Sequence, residues 1–408
     1  MSQAFSSPRR GHEVRLLQGS REWFPALVAA VEGAAREVRL ETYIFDFTGQ
    51  SVEVALALER AGLRGVAVKV VVDGFGSGPV PAEWRERFAR AGIEWRVYAP
   101  LGWLGVLWLG SWRRLHRKLC VVDAQVAFCG GINVMDDFHD PNHGPLDSPR
   151  LDFTVRVTGP LVAEMQASMS RLWLRIQAVQ DIRRAQIADA LSSLRASKSG
   201  RVRLPALTGP GDLQRPQARA ALVLRDNLRN RTRIERAYRR AIGRAREEII
   251  IANAYFVPGR KMRDALISAA QRGVKVILLL QGRYEYFMQF YAARPIYGAL
   301  LRAGVEIHEY SPSFLHAKVA VIDGRWATVG SSNLDPLSLL LAREANIVIE
   351  DAAFAALLRT RLMQAIREEG REMSADEYRN RPLRQRAMEH VALALMRLAL
   401  AIQGKKYL

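Results

Sequence analysis

Cysteine is almost absent: the 408 residues contain only two, Cys120 and Cys129, which excludes a disulfide framework. Both lie in one apolar run, as expected of reduced, buried thiols in a chain that faces the cytoplasm. Long hydrophobic runs are absent too. No stretch reaches the roughly eighteen uninterrupted apolar residues that span a bilayer. The nearest are Leu101–Trp112 and Ala387–Ile402, the second broken by Glu389, His390 and Arg397. The opening MSQAFSSPRRGHEV has no apolar core after its charges, so no signal peptide is expected. The chain can lie on a membrane but is not expected to cross one. Negative charge is also scarce: 41 Asp and Glu face 60 Lys and Arg, a net charge of +19. Such an excess favours anionic partners, whether nucleic acid, lipid headgroups or phosphorylated substrates. Arginine supplies most of it, which suits bidentate phosphate contacts.

What the chain does have is a repeat. VRLETYIFDFTG reads as a buried strand, and SVEVALALERAGLRGVAVKVVVDG as a helix and a strand. Further on, IIIANAYFVPG precedes RKMRDALISAAQRGVKVILLLQG in the same pattern. AGIEWRVYAP and AGVEIHEYSP match next, then HRKLCVVDAQVAFCGGIN and HAKVAVIDGRWATVGSSN, equal in length. Apolar residues at helical spacing alternate with β-branched runs bounded by glycine. This predicts an α/β fold of two pseudo-symmetric halves, each a mixed, mostly parallel sheet flanked by helices. The expected boundaries are 1–180 for the first half, 181–221 for a basic Ser/Pro/Gly-rich linker, 222–370 for the second half and 371–408 for a helical, amphipathic tail.

There are only seven histidines, and two of them head the same motif. His116, Lys118, Asp123 and Asn133 recur as His316, Lys318, Asp323 and Asn333, with Ser331 where the first copy has Gly131. Residues i and i+2 of a strand share a face, so each His projects beside its Lys. The Asp marks the strand end, and a second strand returns the Asn. One neutral imidazole can attack phosphorus, while a protonated one gives its proton to the leaving alcohol. Lysines and asparagines can stabilise the non-bridging oxygens without a metal. A lone His-x-Lys is usually incidental, but five fixed matches arise by chance at below about one in a million starting positions. Two copies at corresponding points of a repeat leave no room for accident. Neither half carries enough of these groups alone, so both sets are expected in one site where the halves meet.

These motifs resemble the phospholipase D superfamily over nearly the whole chain, from about Val14 to Glu350. The surrounding text, LETYIFDF, HRKLCVVD, GGIN, RDN at Arg225–Asn227, ANAYFVPG and HAKVAVIDGRWATVGSSNLDPLS, is most similar to the bacterial cardiolipin synthases, their B type above all. The resemblance implies a transferase that joins two phosphatidylglycerols into cardiolipin and releases glycerol, with no cofactor. It makes the His, Lys and Asp of each motif the catalytic core, with His116 as nucleophile and His316 as acid. Lys118, Lys318, Asn133, Asn333 and Ser331 would hold the phosphate. Downstream acids orient the histidines in such enzymes: Glu344 fits that place in the second half and Asp152 in the first. Asp123 and Asp323 suit organising the fold better than touching substrate. The implied partners are anionic phospholipid and the cytoplasmic surface of the cell membrane; nucleic acid is not expected, and the oligomeric state stays open.

Two rivals remain at this point. One is a soluble phosphodiesterase or nuclease, or a lipid hydrolase, of the same superfamily; the other is a non-catalytic lipid-binding protein, against which the intact motifs argue. LGWLGVLWLGSWRRL before His116 and YEYFMQFYAARPIYGALL before His316 read as aromatic, basic loops suited to a membrane interface. They favour lipid. DDFHDPNHGPLD has metal-ligand composition without ligand spacing and reads as a loop, not a metal site. VALALMRLALAI is compatible with either a membrane contact or a packing helix.

Overall fold

The structure is a computed structural model and describes residues 7–100, 113–183, 218–226, 230–284, 287–335 and 342–402. All but the ends of the expected linker 181–221, the run Leu101–Trp112 and residues 403–408 lie outside the described residues. The chain divides into two compact units, Ser6–Asp136 with Thr154–Leu222, and Asp137–Phe153 with Val223–Leu408. The division differs from the expected boundary at 180 in sending Asp137–Phe153 to the unit that carries the second motif.

In chain order the elements begin with β1 (Arg9–Gln18), α1 (Gly19–Glu32), β2 (Glu37–Thr42), α2 (Ser51–Leu63), β3 (Ala67–Asp73), α3 (Ala82–Arg90) and β4 (Glu94–Tyr98). Next come β5 (Arg114–Leu115), β6 (Lys118–Val122), β7 (Val126–Gly130), β8 (His139–Asp140), β9 (Gly144–Pro145), β10 (Phe153–Thr158), α4 (Leu161–Arg183) and β11 (Ala218–Arg225). The second half runs α5 (Arg233–Arg244), β12 (Glu248–Asn253), α6 (Arg260–Gln271), β13 (Lys275–Gln281), α7 (Phe287–Arg302), β14 (Glu306–Tyr310), β15 (Lys318–Ile322), β16 (Trp326–Gly330) and β17 (Ala342–Glu350). It closes with α8 (Ala352–Glu369), β18 (Gly370–Glu372), α9 (Ala375–Arg379) and α10 (Leu383–Ile402).

The first unit orders its strands β1-β10-β7-β6-β2-β3-β4, with the first residues of β11 beside β1, and the second β18-β14-β13-β12-β15-β16-β17. Parallel pairing joins β2-β3-β4 in the first unit and β12-β13-β14 in the second. Those strands are joined through helices, the long crossovers that parallel neighbours need. The motif strands add an antiparallel meander: β6 on β2, β7 on β6 and β10 on β7, repeated as β15 on β12, β16 on β15 and β17 on β16. The sheets are therefore mixed, as expected, each joining a parallel set of strands to an antiparallel motif meander. The turns between motif strands are too short for anything but antiparallel return.

Amphipathic helices cover the sheets. In α2 the buried residues Val54, Ala55, Leu58 and Ala61 fall at helical spacing, and they join a core with Leu40, Val70 and Phe128. The second unit builds its own core around Ile251, Leu278, Leu266 and Leu300. Each motif hairpin turns on a left-handed pair, Asp123 and Ala124 at φ 51° and 58°, and Asp323 and Gly324 at 50° and 57°. Positive φ at both central residues gives the turn a twist that matches the flanking strands. Glycine accepts it without cost, whereas Ala124 carries about 1 kcal/mol of strain.

Candidate active site

Each motif lysine is buried and turns back on its own histidine. Lys118 Nζ donates to the His116 carbonyl at 2.8 Å, and Lys318 Nζ donates to the carbonyl of His316. Strand alternation sends the intervening residue to the other face. There Arg117 forms a buried ion pair with Glu41, its Nη2 2.9 Å from Oε1, and its Nη1 donates to Ser168 Oγ of α4 at 2.9 Å. The corresponding residue in the second unit, Ala317, is simply buried. The Arg117–Glu41 pair was not anticipated, although a charged residue at a core-facing strand position is itself the signal. Losing one partner would strand the other charge in the core.

Around His116 the first unit supplies Tyr43, whose ring lies 5.0 Å from the imidazole centroid. Lys118 Nζ sits 5.4 Å from that ring's centre, so one aromatic ring borders both motif side chains. Leu115, just before the histidine, donates its N–H to Asp73 Oδ2 at 2.6 Å. In the second unit Leu315 does the same to Gln281 Oε1 at 2.8 Å. Asp73 and Gln281 end corresponding strands, β3 and β13, and hold the approach to each histidine in place.

His316 has a carboxylate partner in its own unit. Its Nδ1 is 2.6 Å from Asp152 Oδ2, 164 positions away in sequence. The link is built by backbone: Leu151 N–H donates to Phe314 O at 3.1 Å and His316 N–H to Leu151 O at 2.9 Å. Asp152 Oδ1 accepts the Phe153 N–H at 2.7 Å, which fixes the carboxylate. Asp152 is 2% exposed and His316 19%. A carboxylate on Nδ1 holds the proton there, leaves Nε2 for chemistry and stabilises the imidazolium. This corrects the expectation that Asp152 serves the first motif.

Glu344, expected to orient a motif histidine, lies fully buried on β17 and accepts the Ser331 hydroxyl at 2.5 Å. Ser331 Oγ also accepts the Ala345 N–H at 3.1 Å. Ser331 was expected to bind phosphate; its hydroxyl proton is committed to Glu344, so it is corrected to a residue that positions that acid. Gly330 makes the approach possible, because a Cβ there would stand 2.3 Å from Asn346 Cγ and 2.5 Å from Ala345 O. The asparagines follow their hairpins as expected. Asn133 Oδ1 accepts the Ile44 N–H at 3.1 Å, keeping its amide protons as donors. Asn333 is buried, and its Oδ1 has no hydrogen-bond partner among the described residues.

The motif aspartates are corrected out of the catalytic set. Asp123 accepts the N–H groups of Ala35, Arg36 and Glu37 at 2.8, 2.9 and 2.8 Å. Asp323 accepts those of Arg246, Glu247 and Glu248 at 2.9, 2.9 and 3.0 Å. Each clamps the start of the neighbouring strand, roughly 15 Å along the hairpin from the motif lysine. Burial pushes the Asp123 carboxyl upward, but its three backbone donors outweigh that and hold it below the usual range. A folded value below the unfolded one adds stability above the unfolded value, which is lost as pH falls through the folded value. Asp123→Ala is expected to cost about 1–3 kcal/mol at neutral pH. Urea melts at descending pH should show the difference from the parent shrinking in acid; a constant gap would refute the clamp.

Of the aromatic segment before His316, the described part is largely helix α7, with Ala292, Ala293, Ile296, Tyr297 and Leu300 in the core. The interface-loop expectation is corrected there, and only Tyr284 stands out as a half-exposed ring, against Phe290. In the acidic loop, Asp140 is held by Arg150 at 2.6 Å and His143 at 3.0 Å. Among the described residues no group of three or more His, Cys, Asp and Glu is gathered for a metal ion. Nor is any described helix long and apolar enough to cross a membrane. Both cysteines are buried, their thiols pushed up to about 12. A cavity of about 410 Å³ beside α9 is lined by Arg294, Glu309, Tyr378 and Arg381 and contains no motif residue.

Comparison with known proteins follows the same lines. A family model described as cardiolipin synthase, phospholipase D-like domain, matches residues 27–148 and 238–366. Cardiolipin synthase B of Escherichia coli (strain K12) is 36% identical over 364 residues, covering 87% of this chain and 80% of that protein. Cardiolipin synthase B of Salmonella typhi is 36% identical over 370 residues, covering 88% and 81%. Among solved structures, the phosphatidylserine synthase of Haemophilus influenzae Rd KW20 superposes with a TM-score of 0.70 at 12% identity, covering 99% of this chain and 98% of that one. That likeness concerns the fold.

Proposed function

The chain belongs to the phospholipase D-like cardiolipin synthase family, and from that premise we propose that it is a phosphatidyltransferase converting two phosphatidylglycerols into cardiolipin and glycerol. The observation that carries the chemistry is a motif histidine whose Nδ1 is held by a buried carboxylate, His316 on Asp152 at 2.6 Å. The same carboxylate stabilises the imidazolium that a proton donor needs, which supports His316 as the acid and His116 as the nucleophile.

In this reading His116 Nε2 attacks the phosphorus of one phosphatidylglycerol. The bond to the glycerol oxygen breaks, and His316 supplies the proton that lets glycerol leave. A phosphatidyl-histidine remains. A hydroxyl of the second phosphatidylglycerol gives its proton to His316 and attacks the same phosphorus, so that cardiolipin departs and His116 is restored. Lys118, Lys318 and the asparagine amides Asn133 and Asn333 hold the non-bridging oxygens, where charge grows in each transition state. The substrates are bilayer lipids, so the enzyme works at the membrane surface, on the cytoplasmic side.

The test is product analysis. Purified protein incubated with phosphatidylglycerol vesicles in EDTA is expected to yield cardiolipin and glycerol in equal amounts, read by mass spectrometry. Phosphatidic acid alone would make it a hydrolase. Degradation of DNA with no lipid product would overturn the assignment.

A further inference from the structure

The C-terminal helix α10 carries two apolar faces, and among the described residues only one is packed against other elements. Its inner face, with Ala392, Leu393 and Met396, belongs to the core of the second unit and packs on α7. The helix cannot roll on that seat, because Glu389 is fully buried within it. Arg381 Nη2 donates to Glu389 Oε2 at 2.8 Å and Gln385 Nε2 to Oε1 at 3.1 Å. The outer face is thereby fixed toward solvent, where Leu383, Val391, Leu395 and Leu398 are 79, 53, 47 and 57% exposed. At about 100° per residue, these four with Ala387 and Ala394 fall within an arc of about 120°. Arg386, His390 and Arg397 line one flank, all exposed, and the exposed Arg384 lies within the arc at the first turn of the helix. The one acidic residue of the helix, Glu389, is the buried one. The outer face is thus apolar beyond its first turn, with cationic residues on one flank and at that first turn and no carboxylate among them.

We propose that this outer face of α10 is a membrane-docking surface that seats the protein on an anionic lipid bilayer. An apolar band of this width, rimmed by arginine and free of carboxylates, matches the interface of such a bilayer: side chains enter the acyl boundary while guanidinium groups meet headgroup phosphates. A protein partner would have to bury the same arginines against its own acids, and the helix offers no carboxylate to pair in return. The proposal deepens the reading of the substrate as a membrane phospholipid and rests on it, so its test separates binding from chemistry.

The double variant Leu395→Glu/Leu398→Glu and the milder Leu395→Ser/Leu398→Ser are compared with the parent. Sedimentation measures binding to vesicles of phosphatidylglycerol and phosphatidylcholine and to phosphatidylcholine alone. The parent is expected to bind the anionic vesicles, and the glutamate variant to bind them at least tenfold more weakly. Turnover on vesicles should fall in parallel, while turnover of short-chain phosphatidylglycerol dispersed as monomers stays within about twofold of the parent. The serine variant should show the same pattern to a smaller degree, which keeps the test open if the glutamates disturb folding. Unchanged vesicle binding in both variants would overturn the proposal. So would a parent dimer, seen by light scattering, that dissociates on substitution while vesicle binding persists. A failure of the enzymatic reading, with no turnover of any lipid, leaves the binding arm readable on its own.

Discussion

Substituting alanine for His316 or for His116 is expected to lower cardiolipin formation by at least about a thousandfold, close to 4 kcal/mol of lost transition-state stabilisation. The fold should be retained in both, since each histidine lies two residues ahead of a motif strand and outside the apolar core. The two losses have different chemical causes, and a substrate with an activated leaving group separates them. A phosphodiester releasing p-nitrophenol needs no proton donor. His316→Ala should therefore still release one burst of p-nitrophenol as the phosphohistidine forms, whereas His116→Ala should release none. The opposite pattern would exchange the roles of nucleophile and acid. Full lipid turnover in either variant would remove the histidines from the mechanism.

The second large effect is expected at Asp152. Asparagine there is nearly isosteric and can still accept the Phe153 N–H that Oδ1 now takes at 2.7 Å. It can no longer oppose a positive charge on His316, nor hold the Nδ1 proton as a carboxylate does at 2.6 Å. Asp152→Asn is therefore expected to reduce kcat by roughly a hundred- to a thousandfold with KM changed little, the pattern of an interaction that matters most in the transition state. Restoring a carboxylate in Asp152→Glu should recover part of the loss. A merely structural aspartate would behave differently: the asparagine variant would melt earlier and turn over normally. Because the partners are 164 residues apart, the double variant Asp152→Asn/His316→Ala adds a further check. It should be no slower than His316→Ala alone, since the carboxylate acts through that imidazole.

Much of this molecule was legible before any coordinates, and for local reasons. The helix-then-strand alternation shows in the spacing of Val54, Leu58 and Ala61 and in the β-branched run Val68–Val72, because burial of one helical face and of both strand faces imposes those periods. The motif hairpins were readable because a short turn forces the returning strand to carry Asn133 and Asn333 back toward their histidines. Asp323-Gly324 is a turn signal on its own chemistry, and the Asp123-Ala124 turn followed by homology between the repeats. Two histidine motifs in register then implied the reaction class with no distance known.

Tertiary structure decided what no local rule reaches. Asp152 lies next to β10 in sequence, yet its carboxylate meets His316 because Leu151 zips onto residues 314–316, and sequence spacing carries no trace of such a contact. Ser331 looked like a phosphate ligand until the close approach at Gly330 brought Glu344 to its hydroxyl. The aromatic stretch before His316 had the composition of an interface loop, and packing made most of its described part a core helix. The C-terminal segment, apolar on almost every side, left open whether it packs or touches membrane. Its buried Glu389 decides this by fixing one face inward on Arg381 and leaving the other to the solvent. Chemistry and repeat were local properties, read from spacing; partners and faces are set by long-range packing, which spacing does not encode.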